Sequence, residues 1–354
     1  MKNNPGNCTI TGGGISSTSY ITLLRVVFIM LVVSVQHSLG PYGKAWNFAT
    51  APRDILRFYD ILQIIVDTLT MPMLFFISGH LFAILSVEFH KYQGFNVLLL
   101  KKVKRLIFPA IVFGVLFCMT LRGDLRLRPI SNGFAHLWFL PSLFWCFVIG
   151  FFLLKVQSFV GRIISLLSVL VFIYIPLPEY FGWGEFHHFL FFFYFGILIG
   201  IYRTQICHLF NNAFFYGTAI FLFSFTLVAL VACDHQICSE PFLFGIPYEN
   251  YSLPILRYLY KISGLILITI TAAKYANNLK IYETKWYKFL DKTSFGLYIF
   301  HMWLMWLAFK CPAMAIFASE YYIMTPILLF VGSFMISIVL TIFVKQIPFC
   351  RTLL

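Results

Sequence analysis

The segment SYITLLRVVFIMLVVSVQHS at residues 19–38 has the length and apolar character of a helix that crosses a membrane. It nevertheless contains Arg25 near its start and His37 near its end. Burying a charged or titratable side chain inside a bilayer costs free energy. The presence of such residues in a spanning helix therefore indicates a functional site. A simpler interpretation stays open, in which Arg25 reaches the inner interface and His37 caps the outer end of the helix.

The composition of the whole chain agrees with a membrane location. Of its 354 residues, 60% are hydrophobic and only 11% are charged, whereas soluble domains are about one quarter charged. The composition therefore predicts an all-α, polytopic integral membrane protein. We expect the net charge of +13 to face anionic membrane lipid, because no stretch is long enough to form a basic domain that binds nucleic acid.

We predict about ten spanning helices in a single membrane domain over residues 1–354, with an N-terminal tail at residues 1–18. Each span needs roughly 20 apolar residues, and the short segments 163–178 and 187–202 can be assigned either way. The predicted spans are 19–38, 59–86, 106–121, 136–154, 163–178, 187–202, 215–232, 256–275, 294–311 and 324–344.

The distribution of lysine and arginine predicts that both termini are cytoplasmic. With that orientation, sixteen of the 26 basic residues lie on the inner side and nine lie on the outer side or at outer span ends. Basic residues are enriched in cytoplasmic loops of membrane proteins. An outer cluster of Arg122, Arg126 and Arg128 goes against this prediction.

The spacing of Arg25 and His37 gives a geometric expectation for the first helix. Twelve residues correspond to a rise of about 18 Å and a rotation of about 120°, so the two side chains would not share a face of a regular α-helix. One extra residue absorbed in a π-bulge would realign them, and such bulges are frequent at functional sites. His37 is suited to proton transfer, since an unperturbed histidine has a pKa of about 6.5.

The second predicted span contains two aspartates on one helical face, Asp60 and Asp67. Asp67 is deep enough in the span to need a partner, and an arginine or histidine from a neighbouring helix would serve. Pro72 follows in the same span and interrupts its hydrogen-bond ladder.

Basic and histidine residues of the later spans allow both a plain and a functional interpretation. The cluster at residues 101–105, which includes Lys102 and Arg105, is either a positive-inside anchor or a site for a polyphosphate ligand such as coenzyme A. His136 and Trp138 enter the fourth span, where a tryptophan is expected at the interface in any case. His301 is predicted in mid-span, either as a buried residue with one hydrogen bond or as part of a site. No group of ligands has metal-site spacing, so no metal is predicted.

Five segments, taken in chain order, resemble the acyltransferase-3 family of membrane acyltransferases, and the resemblance extends over about residues 20–345. The segments are the first helix with its arginine and histidine, MPMLFFISGHLF at 71–82, KKVKRLIFPAIV at 101–112, HLWFLPSLFW at 136–145 and SFGLYIFHMWLM at 294–305.

The resemblance implies that the protein transfers an acetyl or other short acyl group from cytoplasmic acyl-CoA to a hydroxyl of a cell-envelope glycan or lipid-linked sugar. It implies that Arg25 and His37 are the first-helix pair, although eleven residues separate them here and ten is usual in the family. It also implies that Lys102 and Arg105 are a version of the family's RxxR motif that binds coenzyme A. A bacterial inner membrane is the location it favours.

Within this hypothesis each candidate residue has a role. His37 is the general base, Asp67 orients its imidazole, and Arg25 stabilises negative charge on the thioester oxygen or holds part of the donor. We assign His136, Trp138 and His301 to substrate binding. Two other classes stay open, namely a transporter of a glycan or small solute and a non-catalytic scaffold. A transporter would more often show repeat symmetry and paired broken helices, and the sequence shows neither.

Overall fold

The computed structural model describes residues 19–43, 46–122, 135–178, 180–234, 242–243, 246–247, 252–275, 280–348, 350 and 353. The fold is an all-α polytopic bundle, as predicted, and two short strands among the described residues, β1 (Phe242–Leu243) and β2 (Ile246–Pro247), pair antiparallel. The chain is an integral membrane protein, since several of its helices are long and apolar enough to cross a bilayer.

We number the helices α1 to α12 in chain order. The first half of the chain forms α1 (Ser19–Leu31, continued by a π-helical segment Val32–His37), α2 (Arg53–Val87), α3 (Phe95–Thr120), α4 (Phe139–Leu154, preceded by the 3-10 turn Ala135–Trp138), α5 (Phe159–Phe172) and α6 (Trp183–Ile201). The second half forms α7 (Arg203–Asn211), α8 (Ala213–Asp234), α9 (Ser252–Tyr275), α10 (Lys285–Lys310), α11 (Pro312–Glu320) and α12 (Met324–Gln346). Two further 3-10 turns are Gly40–Tyr42 and Lys280–Glu283.

The number of spans is slightly lower than the predicted ten. Eight helices of the described part of the chain meet the length and hydropathy of a span, and α10 with α11 forms a ninth that is bent by 91°. The segment predicted at 163–178 is the 14-residue helix α5, which is too short to cross a bilayer alone. Pro176 and Pro178 explain its early end, because proline cannot continue a helix and restricts the residue before it.

Helices α2 and α6 make the closest approach in the bundle. A Cβ atom added at Gly79 of α2 would clash with the carbonyl of Phe193, and one added at Gly196 of α6 would clash with the carbonyl of Phe76. Glycines at these positions therefore allow the two backbones to touch, which is the usual way in which membrane helices approach closely. Because α2 runs unbroken through Pro72, this contact also fixes the height of the site residues on α2.

The interior of the bundle is dominated by aromatic side chains. Phe75 is fully buried and stacks on Phe189 with ring centroids 4.6 Å apart, and it meets Phe139 edge to face at 4.9 Å. These rings join α2, α4 and α6 at mid-height. Such packing leaves little freedom for the helices that border the candidate site.

Candidate functional site

Three helices bring histidines together in the middle of the bundle. The π-helical end of α1 presents His37, whose Nδ1 lies 3.0 Å from Nε2 of His301 on α10. The ring centroid of His301 lies 5.2 Å from that of His136, at the start of α4. Residues Val32–His37 are π-helical, which is the kind of distortion considered from the Arg25–His37 spacing, but Arg25 and His37 still line different cavities.

The hydrogen bonds of His301 indicate which nitrogen of each ring carries a proton. Nδ1 of His301 lies 2.7 Å from the carbonyl oxygen of Tyr298 and 3.2 Å from that of Leu297. Carbonyl oxygens only accept, so this Nδ1 is protonated, and in a neutral ring Nε2 must be an acceptor. His37 therefore donates from its Nδ1, and its Nε2 keeps the lone pair that a base needs.

His136 is held by the helix that carries His301. Its Nε2 donates to the carbonyl of Ile299 at 2.8 Å, and its own carbonyl accepts a hydrogen bond from the Tyr298 hydroxyl at 2.5 Å. The other ring nitrogen, Nδ1, is buried and has no hydrogen-bond partner among the described residues. His136 thus has one unused acceptor beside the other two histidines.

A large cavity, which we call the histidine cavity, opens beside His37. Its volume is about 890 Å³, which is within the range of ligand sites. Its lining combines apolar, aromatic, amide and charged side chains, among them Gln36, His37, Trp46, Asp60, Gln63, Asp67, His136, Trp138, Arg257, Lys261, Met302 and Trp306. His37 is only half-buried and therefore reaches this space.

A second, smaller cavity of about 160 Å³ contains a group of cations, and we call it the cationic cavity. Arg25, Lys91, Lys102 and Arg105 all line it. Nζ of Lys102 lies 3.3 Å from the ring centroid of Phe147 and 5.3 Å from that of Tyr92. The ammonium group therefore makes cation–π interactions with both rings. Burial raises the pKa of the Tyr92 hydroxyl, which stays a neutral hydrogen-bonding group near neutral pH.

One acidic residue balances part of this charge. Arg25 donates from Nη2 to a carboxylate oxygen of Asp291 at 2.6 Å, and both side chains are about one third exposed. Asp291 lies 266 residues from Arg25 and is not among the candidate residues identified from the sequence. A carboxylate at the start of a spanning run, in KFLDKTSF at residues 288–295, was the signal that could have identified it.

The two cavities lie end to end along the same four helices. On α2 the lining changes from one cavity to the other between Pro72 and Leu74, and at the start of α4 it changes between Trp138 and Phe139. On α10 the change lies between Tyr298 and Met302. On α1 it lies between Ile29 and Gln36, so the separating layer is at most about two helical turns thick, roughly 11 Å.

The layer between the cavities is made of fully buried side chains. Val33, Met73, Leu137 and Ile299 each have at most 1% of their surface exposed, and His301 has none. A ligand in one cavity is therefore separated from a ligand in the other by a thin apolar layer with a histidine within it.

Two candidate residues do not make the contacts that their predicted roles require in this structure. Asp67 lies exposed on the wall of the histidine cavity and makes no hydrogen bond or ion pair with any described residue, including His37. His301 makes that contact instead, because α10 is packed against the end of α1. His301 is buried behind His37 and does not line the cavity, so it does not touch a substrate there.

The other predicted site residues fall into the two cavities. His37, His136 and Trp138 line the histidine cavity, whereas Arg25, Lys102 and Arg105 line the cationic cavity together with Lys91. Arg25 and His37 therefore do not act on the same atoms in this conformation. Within the described residues, no three histidine, cysteine, aspartate or glutamate side chains meet as a metal site.

The fold and the site define an integral membrane protein with cavities lined by polar and charged side chains within its helical bundle. A family model described as an acyltransferase domain, that of the acyltransferase-3 family, matches residues 18–345. The chain therefore belongs to the acyltransferase-3 family and is a membrane acyltransferase. Neither a comparison with curated proteins nor one with solved structures found a match.

Proposed function

We propose that this acyltransferase moves an acetyl or other short acyl group from cytoplasmic acyl-CoA to a hydroxyl of a cell-envelope glycan or lipid-linked sugar. The observation that supports this most is the position of His37. This residue lines the histidine cavity, and only a thin layer separates that cavity from the cationic cavity. A donor with several phosphates suits the cationic cavity, and a neutral or weakly charged acceptor suits the larger one.

Acyl-CoA binds, in this proposal, with its phosphates against Lys102 and Arg105. Arginine and lysine make strong charge-assisted hydrogen bonds to phosphate oxygens. Arg25, which lines the same cavity and is ion-paired with Asp291, holds part of the donor rather than the thioester oxygen. The acyl-bearing arm then crosses the layer towards His37.

His37 acts as the general base in the transfer step. Its Nε2 takes the proton of the acceptor hydroxyl while the oxygen attacks the thioester carbonyl. The carbon–sulfur bond breaks, the coenzyme A thiolate leaves, and the imidazolium returns the proton to the sulfur. His301 keeps the lone pair of His37 on Nε2, because it accepts from Nδ1.

The test of this function is acyl transfer by a His37→Ala variant that still reaches the membrane. We expect the rate at which free coenzyme A thiol is released from acetyl-CoA to fall about 100-fold or more. Acylation of envelope glycans, measured by mass spectrometry, should fall by a similar factor. His208→Ala, on α7 and outside both cavities, is the matched control and should retain activity. Full activity of His37→Ala would exclude His37 as the base.

A transporter is the second candidate, because two cavities arranged end to end also fit a solute pathway. Labelled acetyl-CoA separates the two functions. Hydrolysis or acceptor labelling by purified protein supports the enzyme, whereas movement of solute without transfer of the label supports a carrier.

We also propose that the protein lies in a bacterial inner membrane with both termini in the cytoplasm, which would put the cationic cavity on the side of soluble acyl-CoA. The excess of lysine and arginine on that side supports the orientation. Reporter fusions at the two termini test it, and a periplasmic signal from either one would contradict it.

A further inference from the structure

The histidine cavity contains charged side chains that the proposed proton transfer does not use. Helix α2 contributes Asp60 and Asp67, and helix α9 contributes Arg257 and Lys261. Each pair lies on one face of its helix, at a spacing of seven and four residues respectively. All four residues line the same space of about 890 Å³.

Lys261 is a cation without an acidic partner inside a spanning helix. Its Nζ lies 4.8 Å from the ring centroid of Tyr258 and 5.8 Å from that of Phe192. It makes no hydrogen bond or ion pair with any residue that the structure describes. Arg257 adds a like charge four residues earlier, which repels it. A lysine without an acidic partner in a spanning helix indicates an anionic ligand, because leaving its charge uncompensated there costs free energy.

Two acidic residues of the same lining also lack partners in the described part of the chain. Neither Asp60 nor Asp67 is ion-paired with Lys261, or hydrogen-bonded to any other described residue, although all three line one cavity. His136, a residue with 9% exposure that also lines this cavity, has a buried Nδ1 without a hydrogen-bond partner among the described residues. The lining of this cavity therefore contains both a cation and carboxylates without a partner among the described residues.

We propose that the histidine cavity takes an acceptor sugar that carries a negatively charged group, a carboxylate or a phosphate. Lys261 binds this group with Arg257 beside it, and Asp60 and Asp67 accept hydrogen bonds from hydroxyls of the sugar. The inference rests on the proposed acyl transfer, because it specifies the chemistry of the acceptor. The cations select the acceptor by charge and take no part in the chemical step.

The test compares sugars that differ mainly in charge. Binding of glucuronic acid, glucose 1-phosphate and glucose to the purified full-length protein is measured by isothermal titration calorimetry. We expect at least one anionic sugar to bind about tenfold more tightly than glucose, as one charge-assisted contact would produce. Which of the two binds better identifies the carboxylate or the phosphate as the preferred group.

Three variants make the result specific to Lys261. Lys261→Gln should abolish the preference for the anionic sugar, and Lys261→Arg should restore it, which shows that the loss does not come from misfolding. Lys274→Gln removes a cation of the same helix outside the cavity and should leave the preference unchanged.

Three outcomes would overturn the proposal. The first is that wild-type protein binds glucose as well as both anionic sugars, and the second is that Lys261→Gln keeps the preference. The third is that Lys261→Gln slows hydrolysis of succinyl-CoA but not of acetyl-CoA, which would assign the cations to a charged acyl group. Failure of the proposed function is seen separately, as absence of any turnover of acyl-CoA.

Discussion

His37 and His301 form a donor–acceptor pair in which the second histidine determines the state of the first. Two backbone carbonyls of α10 fix the proton of His301 on Nδ1. This arrangement leaves Nε2 of His37 as the basic atom. In functional histidines, the hydrogen bond made by one ring nitrogen commonly determines which of the two nitrogens carries the proton. His301 is therefore a positioning residue and not a group that touches substrate.

Substitution of His301 tests this role. His301→Leu removes the acceptor for Nδ1 of His37, and we expect kcat to fall roughly 10- to 100-fold, since general-base catalysis contributes about 10²–10⁴-fold in total. KM for acyl-CoA should stay unchanged, because His301 does not line the cationic cavity. Steady-state kinetics with acetyl-CoA measure both.

His301→Gln is the matched variant, because its amide oxygen can accept the same hydrogen bond. It should retain most of the activity that His301→Leu loses. Equal losses in the two variants would indicate that His301 acts through packing alone.

Lys102 gives a second prediction at this scale. Lys102→Gln should raise KM for acetyl-CoA about tenfold, because it removes one charged contact to phosphate. Lys104→Gln is the control, since Lys104 lies two residues further along α3 but is exposed and does not line the cavity. Similar KM values for the two variants would contradict the assignment of Lys102 to the donor.

At the level of helices, the contact between α2 and α6 holds the site together. Gly79 and Gly196 face backbone atoms of the opposite helix, so neither position has room for a side chain. The wall of both cavities runs along α2, from Asp60 to Leu85. A change in the distance between α2 and α6 would therefore shift donor and acceptor sites together.

Gly79→Ala should destabilise the bundle by about 1–3 kcal/mol, the usual cost of forcing an extra carbon into a packed contact. Gly217→Ala on α8 is the control, because an added Cβ there meets nothing within 4 Å. That substitution should be neutral or slightly stabilising, since alanine is the better helix former. Thermal unfolding in detergent measures both, and a neutral Gly79→Ala would contradict the packing account.

The sequence predicted helices better than it predicted contacts between them. The predicted spans 19–38, 136–154 and 324–344 agree with the structure within two residues, because length and hydropathy mark them directly. Partners such as Arg25 and Asp291, or His37 and His301, are more than 260 residues apart. Their pairing depends on which helices pack together, and periodicity in one sequence contains no such information.

For the whole molecule, the arrangement of two cavities in one bundle is the central feature. Four helices line both, and the layer between them contains Met73, Ile299 and His301. A reaction between a donor and an acceptor that enter from opposite sides needs such a layer, thin enough for the acyl group to pass and apolar enough to exclude water. The proposed base His37 and the proposed donor-binding cations can act on one reaction only because their cavities are separated by this thin layer.

The most direct measurement of this account is a cryo-electron microscopy structure of the His37→Ala variant with acetyl-CoA bound. We predict that the coenzyme A phosphates lie against Lys102 and Arg105, with the thioester carbonyl in the layer between Tyr298 and Met302, facing the side chain position of residue 37. Coenzyme A bound in the histidine cavity, or a thioester directed away from that layer, would contradict the account.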